Sequence, residues 1–209
     1  TDTLDASGEV TATHDMGGVG IDEVRAAAAT LTGDIEQVPP MVSAVRVGGR
    51  RLHELAREGE EVEREARPVT VHRFGVEATD DPLVYRATVV CSSGTYVRTL
   101  AADLGTALGG GAHLRRLRRT AVGSFTDADA HPVDEIVVLP PAEGLRVYPA
   151  VPVGERTAAM VAHGRVLTEA DLPVDGDGPW RVLDTTGALL AVYERRAPDR
   201  LKPAVVLPA

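Results

Sequence analysis

At 209 residues, with 44% hydrophobic and 25% charged side chains, the sequence has the balance of a globular protein rather than a disordered or fibrous one, and about 150 residues per domain predicts two unequal domains. A net charge of −9 argues against general affinity for nucleic acid. The longest apolar runs fall short of the roughly 18 residues of a membrane span, the opening Thr-Asp-Thr-Leu-Asp lacks the features of a signal peptide, and the single Cys91 excludes an internal disulfide; a cytoplasmic chain without membrane spans is expected.

In chain order, residues 1–10 carry Asp5-Ala6-Ser7-Gly8, a composition that suits a hairpin tip. From Gly20, the acidic Asp22 and Glu23 precede an alanine-rich run, which predicts a helix closed near Gly33. Pro39-Pro40 then forces extended backbone. Residues 43–47 predict a short strand, Gly48-Gly49 a tight turn, and residues 52–57 a helix ending at Gly59. Residues 69–78 and 84–91 are rich in β-branched side chains and flank Asp80-Asp81-Pro82, which predicts antiparallel strands. Over residues 96–108, Val97, Leu100, Ala101, Leu104 and Leu108 recur at helical spacing, and Gly109-Gly110-Gly111 stops the helix.

Residues 117–125 predict a last core strand, and residues 127–139 a loop with a short helix. Pro140-Pro141, Pro149 and Pro152 mark a boundary. Beyond it, residues 158–166, 180–184, 189–194 and 204–207 read as short strands separated by glycines, the outline of a small β domain.

The charge is unevenly spread, with residues 46–57 and 115–119 locally basic inside an acidic chain. Other chemistries find no support. Ser92-Ser93-Gly94 is not a hydrolase elbow, the Gly109–Gly111 run has no phosphate-loop lysine after it, and His14, His53, His72, His113, His131 and His163 are too widely spaced for a metal cluster. Taken alone, Tyr96 reads as a half-buried aromatic, Leu117 as a core leucine, and the arginines as a solvated face.

Four segments change that reading. Ser93-Gly94-Thr95-Tyr96-Val97-Arg98-Thr99-Leu100, leading to Asp103-Leu104-Gly105, resembles the signature of the TruB family of tRNA pseudouridine synthases. So do Gly111-Ala112-His113-Leu114-Arg115-Arg116-Leu117-Arg118-Arg119-Thr120 and the long stretch from Asp34-Ile35-Glu36-Gln37-Val38-Pro39-Pro40 through Ser43-Ala44 to Gly59. The fourth is Thr1-Asp2-Thr3-Leu4-Asp5-Ala6-Ser7-Gly8. Val42, Arg46 and His53 depart from the tyrosine, lysine and aromatic residue common at those places.

The resemblance implies an α+β fold: a pseudouridine synthase core with a mixed, mainly antiparallel sheet over residues 1–139, followed by a small PUA-like RNA-binding β domain over residues 150–209. It implies isomerisation of uridine 55 in the tRNA T-loop, without metal or organic cofactor, by a monomer whose partner is the T-loop and stem of tRNA. Tyr96 would lie against the target uracil and Arg98 would pair with the catalytic aspartate. Leu117 would pack on the uracil, and Arg46, Arg50, Arg51, Arg57 and Arg115 would contact RNA. The family's Gly-His-Thr-Gly-x-Leu-Asp-Pro segment, which carries that aspartate, does not occur in the sequence; Asp103 and Asp171 lack its His-Thr-Gly lead-in. The core is therefore expected to be N-terminally incomplete and inactive alone. A non-catalytic RNA-binding fragment or paralogue, and a purely structural or interaction domain, are the alternatives.

Overall fold

The computed structural model describes residues 1–60 and 62–208. The chain divides into two compact units, Thr1–Arg118 and Arg119–Ala209.

In the first unit, helix α1 (Ile21–Thr30) starts where Glu23 accepts the Gly20 N–H at 2.8 Å, satisfying one of the donors a helix N-terminus leaves open. Its Val24 and Ala28, one helical turn apart, are fully buried with Val76, and Val19, Phe74, Tyr85 and Leu104 close around them. Strand β1 (Gly33–Gln37) follows, a strand that the sequence pattern does not announce. A hairpin of β2 (Arg46–Val47) and β3 (Arg50–Arg51) leads straight into α2 (Leu52–Arg57), whose Leu52 and Leu55 are buried.

The long β4 (Arg67–Ala78) pairs antiparallel with both β1 and β5 (Tyr85–Cys91), giving a three-stranded sheet in the order β1-β4-β5. Helix α3 (Val97–Ala107) buries Thr99 and Leu100. It ends at Gly109, at φ +77°, where Gly109 and Gly110 donate to the carbonyls of Thr106 and Gly105 at 2.9 and 3.0 Å. Those two bonds are a Schellman closure, which places a left-handed residue just past the helix and so favours glycine.

Beyond α3 the chain departs from the sequence reading in two places. Residues 117–120 form no strand; the expected strand is reduced to a hairpin of β6 (Ala121–Val122) and β7 (Phe125–Thr126). The run of arginines before Ala121 is exposed, so it has no apolar face to pair against. After single turns of 3-10 helix at Asp127–Asp129 and Val133–Glu135 come α4 (Pro141–Gly144) and β8 (Ala150–Pro152). Most of the expected strand at residues 158–166 is instead helix α5 (Glu155–Ala162). Its Ala-Ala-Met-Val-Ala run is helix-forming. Gly164, at φ +63°, closes it, with Gly164 and Arg165 donating to Val161 and Met160 at 2.8 and 3.3 Å.

Strands β9 (Trp180–Leu183), β10 (Leu189–Ala197) and β11 (Arg200–Val206) complete a sheet ordered β11-β10-β9-β8, antiparallel except for the parallel β8/β9 pair. Trp180, Tyr193, Val161, Leu167, Leu172, Val182 and Leu201 form its core. The Tyr193 hydroxyl donates to the Arg165 carbonyl at 2.8 Å and the Trp180 indole N–H to that of Asp175 at 2.9 Å, so both aromatic residues are buried with their polar atoms satisfied. The architecture is α+β. Among the described residues, no helix is long and apolar enough to cross a membrane, and no group of three or more His, Cys, Asp or Glu residues could hold a metal ion.

Candidate active site

Tyr96 and Arg98 lie where the chain passes from β5 into α3. Tyr96 is the residue capping α3, half-buried, with its carbonyl accepting the Leu100 N–H at 3.0 Å. Its phenol hydroxyl makes no hydrogen bond among the described residues. Two positions on, Arg98 turns its guanidinium onto three acceptors: Nη1 donates to the Thr3 carbonyl at 2.9 Å and to Asp5 Oδ2 at 3.3 Å, and Nη2 to the Val42 carbonyl at 2.6 Å. One side chain thus ties together the N-terminal turn, the loop after Pro40 and α3.

Asp5 has no role in the sequence reading, although it lies inside one of the four recognised segments. Its Oδ1 accepts the Ser7 hydroxyl, the Ser7 N–H at 3.0 Å and the Thr3 hydroxyl at 2.9 Å. The hydroxyl and N–H of Ser7 first, then Thr3 and the Arg98 charge, pull its pKa down to about 2 against a partial opposing effect of burial. A carboxylate so fully bonded stays ionised and anchors its partner. With side chains only 24% and 26% exposed, Arg98 and Asp5 form a pair that is largely shielded from water and braced by hydrogen bonds on both sides. An Asp-x-Ser turn signal was legible in the sequence; its pairing with an arginine 93 residues away was not.

The turn that presents Asp5 is held in place by the segment that carries Leu117. Ala6 donates to the Leu114 carbonyl at 2.9 Å, and Leu114 to that of Leu4 at 3.0 Å, a parallel bridge between Asp5 and Leu114. Leu117 itself lies outside any strand and is 57% exposed. Arg115 is exposed on the same segment.

The other arginines project from the β2/β3 hairpin and α2, and all four are exposed. Arg46 stands directly opposite Arg51 across the hairpin, placing two cations on one face. Like charges so placed repel, and an anion between them would relieve the repulsion. Arg50 is engaged differently: its Nη2 donates to Glu58 at 2.6 Å, and Glu60 lies 3.8 Å from Nη1. Asp103, one of the carboxylates weighed as a replacement nucleophile, sits on α3, where burial raises its pKa. Among the described residues it makes no ion pair with Arg98, whose carboxylate partner is Asp5.

The family described as "TruB family pseudouridylate synthase (N terminal domain)" matches residues 1–97, and "tRNA pseudouridylate synthase B C-terminal domain" matches residues 98–139. The chain is 43% identical to tRNA pseudouridine synthase B of Nocardia farcinica over 99% of its own length and 69% of the relative's. Against the protein of that name from Symbiobacterium thermophilum it is 50% identical, over 78% of this chain and 57% of the relative. Among solved structures, a chain of a Cbf5-Nop10-Gar1 complex superposes with a TM-score of 0.68 at 22% identity, covering 92% of this chain and 64% of that one. The last likeness is one of fold.

Proposed function

This chain belongs to the TruB family of pseudouridine synthases, and we propose that it serves the isomerisation of uridine 55 in the T-loop of tRNA to pseudouridine. The observation that carries the proposal is the junction of Tyr96 and Arg98: a half-buried aromatic whose hydroxyl makes no hydrogen bond among the described residues, two residues from an arginine bonded to three acceptors.

The target base, extruded from its stack, lies against the Tyr96 ring with Leu117 as a second apolar contact. An aspartate attacks the sugar carbon as the glycosidic bond breaks, the freed uracil rotates, and its C5 bonds to that carbon as the aspartate is displaced. The proton on C5 then leaves, with Tyr96 as mediator or base. Of the five N–H donors on Arg98, three are engaged among the described residues, so two remain to hold a second carboxylate ionised. No cofactor takes part.

The Gly-His-Thr-Gly-x-Leu-Asp-Pro segment is not among the 209 residues, so the proposal includes that these residues by themselves form no pseudouridine. RNA is held through phosphate contacts from Arg46, Arg51, Arg57 and Arg115, with Arg50 secondary because Glu58 and Glu60 already neutralise it. The four-stranded sheet of the second unit acts as a PUA-like RNA-binding domain over residues 150–209. The protein works in the cytoplasm as a monomer.

Single-turnover tritium release from C5-labelled uridine in a T-loop stem-loop RNA tests this, comparing the 209 residues with the full gene product. Release by the full product alone is the expected result. Release by both means that the nucleophile lies within the 209 residues. Release by neither, with salt-dependent RNA binding intact, favours a non-catalytic RNA-binding protein, a reading that the cross-strand Arg46/Arg51 pair supports. In the full product, Tyr96→Phe abolishes turnover and leaves RNA affinity nearly unchanged; a large loss of affinity would make Tyr96 chiefly a stacking residue.

A further inference from the structure

Gln37 is the last residue of β1 and is 1% exposed. A primary amide buried that completely costs free energy unless both its halves find partners. Both do, and on one residue: the Tyr96 N–H donates to Gln37 Oε1 at 2.9 Å, and Gln37 Nε2 donates to the Tyr96 carbonyl at 3.3 Å. The orientation of the amide is not open to choice here, because a backbone N–H can only donate and a carbonyl can only accept. The Tyr96 N–H lies just ahead of α3 and has no partner within the helix. Gln37 therefore supplies, through a side chain, the pair of bonds that a neighbouring strand would supply through its backbone. It grips the main chain of Tyr96 on both sides of the α-carbon and leaves the ring and hydroxyl untouched.

We infer that Gln37 is a positioning residue for Tyr96: its amide clamps the Tyr96 main chain so that the aromatic face is preset where the base must lie. The inference rests on the functional reading above, in which Tyr96 meets the target uracil. A clamp of this kind acts on the geometry of the reacting complex, so its loss falls on the chemical step more than on RNA affinity, most of which comes from phosphate contacts.

Two variants of the full gene product test it. Gln37→Met keeps the volume and removes both hydrogen bonds; the single-turnover rate falls about ten- to a hundredfold, the size expected of a small misplacement at the reacting centre, while the RNA dissociation constant holds within about threefold. Gln37→Glu offers a finer reading. As a carboxylate it accepts from the Tyr96 N–H but repels the Tyr96 carbonyl. Protonated, its O–H donates to that carbonyl and the amide pattern is restored, and burial raises the carboxyl pKa toward that form. The ratio of the Gln37→Glu rate to the wild-type rate therefore rises as pH falls. A merely structural glutamine predicts that thermal stability and RNA affinity fall and recover in parallel with the rate, whereas the clamp predicts recovery of the rate with affinity holding within about threefold throughout.

A Gln37→Met rate within twofold of wild type overturns the clamp, as does a loss of rate in either variant that is matched by parallel losses of RNA affinity and thermal stability. A wild-type protein that releases no tritium overturns the functional reading instead, and with it the catalytic sense of the clamp.

Discussion

The C-terminal unit gathers ten buried apolar side chains into one cluster built around Trp180 and Tyr193, whereas the cluster under α1 holds three, Val24, Ala28 and Val76. The N-terminal unit buries Leu52, Leu55, Val69, Val71 and Leu100 outside that cluster and adds long-range polar tethers: Gln37 to Tyr96 across 59 residues, and Arg98 to Asp5 and Val42 across 93 and 56. Burial of apolar surface is non-directional and stabilises many arrangements of similar shape. Hydrogen bonds to fixed acceptors are directional and specify where individual atoms sit. The difference between the units is thus one of interior: the C-terminal unit gathers one large apolar cluster, while the N-terminal unit also fixes the positions of a tyrosine and an arginine through polar bonds.

Trp180→Ala leaves a large cavity and destabilises the C-terminal unit by about 3–5 kcal/mol. Calorimetry should show one transition lowered and the transition of the N-terminal unit unmoved; equal movement of both would mean that the two units do not unfold separately.

A smaller loss is expected for Asp5→Asn, and it carries a pH signature. The ordinary carboxyl pKa of 3.8 falls to about 2 in the folded protein, so between those values the unfolded chain binds more protons than the folded one. Stability from Asp5 is fully present above about pH 4 and is lost as the pH falls through about 2. The variant is less stable near neutrality and has a shallower acid limb, read by hydrogen exchange in the N-terminal unit. An unchanged acid limb would show that Asp5 is not the tether described.

Tyr193→Phe removes only the hydroxyl that donates to Arg165, at a cost of about 1 kcal/mol. Trp180 is the only tryptophan in the sequence, so its fluorescence follows the C-terminal unit in denaturant without interference. A loss as large as that of Trp180→Ala would make this core as dependent on polar bonds as the other unit. The smallest effect is expected at Arg50, whose replacement by Ala leaves the salt dependence of RNA binding nearly unchanged, while Arg46→Ala and Arg51→Ala each lower its slope by about 1. Equal slopes for all three would mean that Glu58 and Glu60 do not hold Arg50 back from phosphate.

Features encoded by neighbouring residues were legible before folding. Helices α1, α2 and α3 follow from apolar spacing, acidic first turns and glycine stops, and the β4/β5 pair from β-branched runs around Asp-Asp-Pro. Four segments together pointed to the family, the stretch from Asp34 to Gly59 being the longest and Ser93-Gly94-Thr95-Tyr96-Val97-Arg98-Thr99-Leu100 the most specific, and the latter pointed to Tyr96 and Arg98. Tertiary structure decided the rest. Strand β1 has little apolar alternation and exists because β4 pairs with it. Residues 155–162 became a helix because their alanine-rich run could lay Ala158 and Val161 on the β core, an outcome that a glycine-punctuated pattern conceals. Asp5 and Gln37 were visible as residues and invisible as partners. A side-chain hydrogen bond has no periodicity, and its two ends are brought together only once the sheet and helices have placed them.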